Sequence, residues 1–371
     1  MPTGWDIIPL KIALEFCMSK RNLPIEDTNT KLPFVSVIVP VYNEVAFIEQ
    51  TLNSIIAQDY NPFEMEILVL DGGSTDGTID LIKRIALRDS RIHHLHNSEG
   101  TVPYALNIGI KQANGDVIMR MDCHSDYPPH YISRLTQSLY ELNADNVGGV
   151  CLSVPPDKTS RSEAIAVALS SRFGVGNSDF RIGSSTVKQV DTVPFGCYPR
   201  AVFDRIGQFD TDLTRNQDDE FNARLTKQGG RIFLVPDVQI RYYTRDSLSK
   251  LARMFFQYGL FKPLANIKSG TLSSYRQLVP CLMILVWIGS AMAALFSSIS
   301  LIVFISSLLL YVCGICVASA IQIIPTHRWR SRAWLLVVYP LLHIPYGSGY
   351  CLGLVYLLIK HRTIKKPSLS R

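Results

Sequence analysis

Charge is missing from two long stretches of this 371-residue chain. No Asp, Glu, Lys or Arg occurs in residues 277–326, and none occurs in residues 333–359. The first run is too long for one bilayer span of ~20 residues. It divides into segments 278–296 and 301–323, with a tight turn at Ser297-Ser298. The second run gives a segment at 334–359. Its Pro340, Pro345, Gly347, Gly349 and Gly353 predict a kinked or re-entrant element. A secretory leader is lacking, because Asp6 and Lys11 interrupt the apolar residues of the N-terminus. Paired-cysteine motifs are lacking too. The eight cysteines are scattered, and the close pair Cys313 and Cys316 lies inside an apolar run with no second pair. That excludes a zinc or disulfide framework and suits a reducing compartment. No basic stripe with interleaved aromatics occurs before the apolar runs, which argues against nucleic acid as a partner.

The formal net charge is +6. Much of the excess flanks the apolar segments: Arg328, Arg330 and Arg332, then Lys360, Arg362, Lys365 and Lys366. Cations so placed suit anionic lipid headgroups. With the soluble part cytoplasmic, a hairpin of the first two segments brings residues 328–332 back to the cytoplasmic side, as the positive-inside rule requires. A full third crossing would put the basic tail outside, so re-entrance of 334–359 is the expectation. The chain reads as a multi-pass protein of the cytoplasmic membrane. Membrane lipid is its first expected partner.

Residues 1–33 form an N-terminal extension, with a short amphipathic helix at 7–18. Order begins with a β-branched strand at 35–39 that ends at Pro40. A helix follows at 45–57, then a strand at 66–70 closed by Asp71-Gly72-Gly73. Ser74 and Thr75 offer a cap for a helix at 79–86. A third helix at 102–113 leads to a strand at 116–121, again ending in an acid, Asp122. This alternation predicts a doubly wound α/β sheet, which binds ligands at the carboxyl ends of its strands. After a helix at 131–142 the pattern loosens, and residues 151–192 read as loops and short helices. Residues 218–228 read as a helix and 231–235 as a strand. The domain so defined covers 34–247. Residues 248–277 mix cations with apolar and aromatic side chains, the composition of amphipathic helices at a membrane surface. The membrane part is 278–371.

Polar residues recur at the strand ends: Tyr42-Asn43-Glu44, Asp71, and Asp122-Cys123-His124. Asp71 and Asn43 are types that hydrogen-bond a base and ribose. Asp122 and His124 are spaced to hold a divalent cation, Mg²⁺ or Mn²⁺, against phosphate oxygens. The run Asp218-Asp219-Glu220, opening a helix, offers a carboxylate base.

These motifs together resemble family 2 glycosyltransferases, which adopt the GT-A fold. The stretch Val35-Ser-Val-Ile-Val-Pro-Val-Tyr-Asn-Glu44 is similar to that family's opening strand and turn. Leu70-Asp-Gly-Gly-Ser-Thr-Asp-Gly-Thr78 resembles its second nucleotide-binding strand end. Ala105-Leu-Asn-Ile-Gly109 with Asn114-Gly-Asp116 resembles its approach to the metal strand. Gln217-Asp-Asp-Glu-Phe-Asn-Ala-Arg-Leu225, then Gly229 and Gly230, looks like its catalytic acidic helix. The resemblance covers residues 34–245. It implies a Rossmann-like, mostly parallel mixed sheet with helices on both faces. It implies a UDP-sugar donor bound by Pro40, Tyr42, Asn43, Glu44, Asp71 and Gly72. Asp122 would hold the donor and, with His124, the cation. Asp218 would be the base, with Asp219 beside it, in a single inverting displacement.

Three departures stand out. The usual Asp-x-Asp is Asp122-Cys123-His124 here, and Asp126 is an alternative ligand. Gln217 replaces the usual Glu before the catalytic Asp; a register slip of one would exchange Asp218 and Asp219. The Gln-x-x-Arg-Trp motif of processive synthases is replaced by Gln257-Tyr-Gly-Leu-Phe-Lys262, which implies one sugar per visit. Residues 121–129 and the apolar tail look like the subgroup that builds exopolysaccharide repeat units, succinoglycan-type enzymes among them. That likeness implies a polyprenyl-diphosphate-linked saccharide as acceptor, with His343, Tyr346 and Gly347 near the lipid. A sugar nucleotidyltransferase is disfavoured, since residues 40–48 hold no Lys, Arg or Gly. A non-catalytic membrane scaffold with a degenerate transferase fold is the alternative, supported by Gln217 and His124.

Overall fold

The first strand, β1 (Val35–Val41), is buried along its whole length. A strand covered on both faces belongs in the middle of a parallel sheet. There it pairs in parallel with β2 (Met65–Asp71) on one side and β4 (Val117–Arg120) on the other. The computed structural model describes residues 32–272, 274–322, 324 and 329–360. The helix expected at 7–18 and the basic tail beyond residue 360 lie outside them.

Nine strands form one sheet in the order β3-β2-β1-β4-β8-β6-β9-β5, with β7 also paired to β9. The remaining strands are β3 (Ile92–His96), β5 (Ser125–Asp126), β6 (Asn146–Val154), β7 (Lys188–Gln189), β8 (Cys197–Pro199) and β9 (Ile232–Tyr243). Pairings are parallel from β3 to β4 and between β6 and β9, whereas β8, β5 and β7 run antiparallel to their neighbours. The sheet is therefore mixed and mostly parallel.

Side-chain alternation decides which helix covers which face. Val35, Val37 and Val39 pack with α1 (Ile48–Ile56), α2 (Thr78–Ala86) and α4 (Tyr131–Glu141). Ile38, Leu68 and Leu70 pack on the other face with α3 (Val102–Gln112), α8 (Ala201–Ile206) and α9 (Gln217–Lys227). Each such aliphatic side chain taken from water contributes roughly 1.5–3 kcal/mol. The chain moves from β1 outward to β3, then returns to the other side of β1 at β4. That reversal makes a crevice between the ends of β1 and β4.

Two strands go beyond the sequence reading. β3 is an edge strand of sequence IHHLH, too polar to stand out. β6 begins in residues 146–150, which received no assignment, and ends in 151–154, read as loop. Gly148 and Gly149 are both needed there. A Cβ on Gly148 would lie 2.7 Å from Val193, and one on Gly149 would lie 2.4 Å from the carbonyl oxygen of Val238. The cap of α2 also differs from expectation. The N-cap is Gly77, at a φ of 97° and with no side-chain cap bond, while Asp76 before it accepts from the Thr78 N–H at 3.1 Å; neither Ser74 nor Thr75 is the cap. Within 160–182, three helices follow: α5 (Ser160–Leu169), α6 (Arg172–Val175) and α7 (Asp179–Ile182).

Beyond the sheet, α10 (Leu248–Ser269) leads to α11 (Val279–Ala293), α12 (Ser298–Ile321) and α13 (Trp329–Lys360). The segments Tyr275–Ala293, Ser298–Ile321 and Trp329–Ile359 are long and apolar enough to cross a membrane. The third segment is the one expected to be kinked or re-entrant. It is one unbroken 32-residue helix containing both Pro340 and Pro345, about 48 Å long at 1.5 Å per residue.

Much of α10, expected as a helix at a membrane surface, is buried, including Met254, Leu260, Phe261 and Leu264. It lies backbone to backbone against α13. A Cβ on Gly259 would sit 2.0 Å from the Tyr346 carbonyl oxygen. One on Gly349 would sit 2.2 Å from that of Phe256, and one on Gly353 2.4 Å from that of Leu260. Small residues permit this approach.

Candidate active site

The loops after β1 and β2 are tied to each other by side chains. Ser74 Oγ accepts from the Asn43 N–H at 2.8 Å, and Asn43 Oδ1 accepts from the Thr75 N–H at 2.9 Å. Thr78 Oγ1 accepts from the Glu44 N–H at 2.9 Å. Asn43 takes a positive φ of 53°, which its short polar side chain tolerates. Asp71 is 0% exposed, and its Oδ2 accepts from the N–H groups of Gly73 (2.9 Å) and Ser74 (3.1 Å). It shapes the loop in which Gly72 packs against Tyr42.

The last residue of β4, Arg120, was taken only as part of a strand in the sequence reading. Its side chain is 9% exposed. Its Nε and Nη2 donate to the two oxygens of Asp122 at 2.7 and 2.6 Å. Its Nη1 donates to both oxygens of Asp218 at 2.7 Å. One guanidinium thus joins the acid after β4 to the acid on α9. The signal was a cation inside a buried strand, which needs partners. Phe195, at a positive φ of 50°, is held by a hydrogen bond from the Tyr131 hydroxyl to its carbonyl, and its ring lies under Arg120. Burial raises the Asp218 carboxyl above its ordinary range. Arg120 pulls it down, and Asp122 and Asp219 push it up again.

His124 has a φ of 65°, which turns its ring toward the end of β1. Its Nε2 lies 2.8 Å from Glu44 Oε1, and its ring meets Phe47 edge-on. Glu44 therefore braces His124 across the β1/β4 crevice. Asp126, the alternative ligand, is taken up by Gln50 and by the Tyr243 hydroxyl at 2.6 Å. Asp219 pairs with Lys262 of α10 at 2.8 Å. That pairing explains why Lys262 is buried rather than spread on a surface.

A cavity of about 680 Å³ collects these groups. Pro40, Glu44, Asp122, His124, Asp218 and Asp219 line it; Tyr42, Asn43, Asp71 and Gly72 lie beside it rather than in its wall. The cavity continues to Met283 of α11, Tyr311 of α12, and His343 and Tyr346 of α13. His343 is held by the Tyr311 hydroxyl at 3.0 Å and the Phe173 carbonyl at 2.9 Å, while Gly347 packs against Pro280. The four carboxylates at one end can bind a cation or accept a proton. Among the described residues no cluster of three His, Cys, Asp or Glu forms a metal cage.

The glycosyl transferase family 2 model matches residues 36–206. The succinoglycan biosynthesis protein ExoA of Rhizobium meliloti is 27% identical over 69% of this chain and 77% of its own length. A dolichyl N-acetyl-α-D-glucosaminyl phosphate 3-β-D-2,3-diacetamido-2,3-dideoxy-β-D-glucuronosyltransferase of Methanococcus voltae is 30% identical over 62% of this chain and 73% of its own. The mannosyltransferase PcManGT of Pyrobaculum calidifontis, solved with GDP-Man and Mn²⁺, superposes with a TM-score of 0.56 at 20% identity, covering 94% of each chain. That likeness fixes the fold as GT-A. With the motifs of both strand ends and the acidic helix, these matches make the chain a member of glycosyl transferase family 2, a glycosyltransferase of polysaccharide or glycan biosynthesis.

Proposed function

We propose that the chain is an inverting, non-processive glycosyltransferase of the cytoplasmic membrane, with its catalytic domain on the cytoplasmic face. It moves a sugar from a UDP-sugar to a polyprenyl-diphosphate-linked saccharide. The observation that carries this reading is the continuous cavity from Asp122, His124 and Asp218 to the apolar helices. Such a shape accepts a donor at one end and a lipid-borne acceptor at the other. The Methanococcus relative is itself named for transfer to a dolichyl sugar phosphate.

The Asp218 carboxylate takes the proton of the acceptor hydroxyl as that oxygen bonds to the anomeric carbon. The bond from that carbon to the donor's phosphate oxygen breaks, and the nucleoside diphosphate leaves with its electron pair. A single displacement inverts the configuration. Arg120 holds both Asp218 oxygens, so the carboxylate is aimed before the acceptor arrives. Asp219, anchored on Lys262, is its neighbour and adds negative charge beside it.

The residues present fit a divalent cation. Each carboxylate oxygen has two lone-pair directions, so Arg120 leaves Asp122 further acceptor capacity. An Nε2–H donated to Glu44 leaves the lone pair of His124 on Nδ1, the carboxylate–histidine arrangement of many metal sites. Asp122 and His124 would hold Mg²⁺ or Mn²⁺, which would supply charge neutralisation for the leaving group. Pro40, Tyr42, Asn43, Asp71 and Gly72 supply the nucleotide side.

The test is nucleoside diphosphate release by the purified full-length protein from a panel of UDP-sugars, with Mn²⁺ and Mg²⁺ compared. Release from one donor, raised by lipid-linked saccharide and lost in Asp218→Asn, is expected. Equal release by wild type and variant rejects Asp218 as the base. No release from any donor with either cation favours the non-catalytic scaffold.

A further inference from the structure

The cavity wall also carries Arg172 on α6, Arg181 on α7, and Arg245 just after β9. Of the other cations, Arg120 is paired with Asp122 and Asp218, Lys262 with Asp219, and Arg276 with Asp191, while Arg215 donates to the Gln257 side chain at 3.2 Å. Among the described residues no carboxylate lies within ion-pair distance of Arg172, Arg181 or Arg245. The Nη1 of Arg181 is buried without a hydrogen-bond partner, a state that costs about 1–3 kcal/mol unless a ligand satisfies it. Arg181 lies over the rings of Phe180 and Tyr242, which fixes its plane. Burial pushes the Tyr242 hydroxyl up, while Arg245 and Arg181 pull it down, so these two cations converge on one side chain. No Asp or Glu occurs after Asp246, so α10 to α13 bring no counter-charge to the site.

The wall therefore combines carboxylates, guanidinium groups without a carboxylate partner, and Tyr311, Leu342 and Tyr346 on apolar helices. A ligand matching this lining carries a hydroxyl, phosphoryl groups and hydrocarbon. We propose that Arg172, Arg181 and Arg245 form the binding site for the diphosphate of a prenyl-diphosphate acceptor, which sets its sugar hydroxyl toward Asp218. This rests on the lipid-linked acceptor reading above. Guanidinium forks match phosphoryl oxygens two at a time and stay charged at every working pH. The diphosphate of the donor is the competing source of the same chemistry, and the Asp122 and His124 end of the cavity serves it.

The test uses the full-length protein in detergent, with farnesyl diphosphate as probe and farnesol, inorganic pyrophosphate and UDP as controls, read by calorimetry. Arg172 is exposed, so Arg172→Gln combined with Arg245→Gln removes charge while sparing the half-buried Arg181. Wild type is expected to bind farnesyl diphosphate roughly tenfold or more tighter than farnesol or pyrophosphate. The double variant is expected to lose roughly tenfold or more, the scale of a hydrogen bond to a charged group, with UDP affinity and donor hydrolysis unchanged. Unchanged farnesyl diphosphate affinity in the variant overturns the proposal. So does pyrophosphate binding as tightly as the prenyl compound, or an equal fall in UDP affinity, which assigns the arginines to the donor. Donor hydrolysis by the wild type reads the transferase assignment separately. If it proceeds while prenyl binding ignores the arginines, only the present proposal falls. If no donor is hydrolysed, the transferase assignment falls, and the binding comparison still decides the arginine site.

Discussion

The two ends of the cavity are held together by opposite means. At the carboxylate end, position comes from directional bonds: Arg120 to Asp122 and Asp218, Lys262 to Asp219, Glu44 to His124. At the helix end, besides the bonds that hold His343, position comes from side chains that are absent, as at Gly259, Gly349 and Gly353, where the backbones of α10 and α13 touch. The first end depends on charge and is indifferent to a little extra bulk. The second depends on volume and is indifferent to charge. Substitutions that change one property at a time separate them.

The largest effect is expected from Asp218→Asn, which keeps shape and removes the base. It should lower kcat by about a thousandfold, within the usual range for proton transfer, with circular dichroism unchanged. Next comes Arg120→Gln, expected to cost about a hundredfold in kcat/KM, near the loss of one preorganised charged donor. The pH profile carries the sign. The base must be unprotonated, and burial already raises the Asp218 carboxyl, so activity falls as pH drops through that raised value. Arg120 is the group that pulls it down, so its loss should move the acid limb of the profile to higher pH. An unmoved limb would show that Arg120 does not govern Asp218.

Glu44→Gln keeps the size of the brace on His124 and removes its charge. Apparent Mn²⁺ affinity, read by electron paramagnetic resonance, should fall about 10- to 100-fold, as for other partners of metal-bound histidines. The smallest expected effect is at the helix end. Gly349→Ala places a methyl group against the Phe256 carbonyl and should destabilise by about 1–3 kcal/mol. The midpoint of thermal unfolding should drop, with turnover per folded molecule nearly unchanged. A loss of turnover at full stability would mean that the two ends are less separate than this contrast holds.

Much of the first half of the domain was legible because its strands and helices have clean periods, as in Val35–Val41 followed by Ile48–Ile56. Asp122 and Asp218 were legible as acids at the ends of regular elements. Their bridge was not, because Arg120 gains meaning only when a residue 98 positions away folds against it. β6 was hidden by two glycines whose reason lies in Val193 and Val238, far along the chain. α10 read as a surface helix because sequence shows that Lys262 is charged but not that Asp219 awaits it. The course of α13 as one helix through Pro340 and Pro345 was not legible, because the close approach of α10 and α11 at Tyr346, Gly347, Gly349 and Gly353 depends on the folded chain.

The contact of α10 with α13 also works as a ruler. Backbones in direct touch leave no layer of side chains to slide or compress, and α10 grips α9 through Lys262 and Tyr258. In a bilayer, Asp218 then stands at one fixed height above the lipid surface. On the proposed reading, the acceptor hydroxyl that reaches Asp218 is the one borne at that height, so the α10–α13 contact would select acceptors by length.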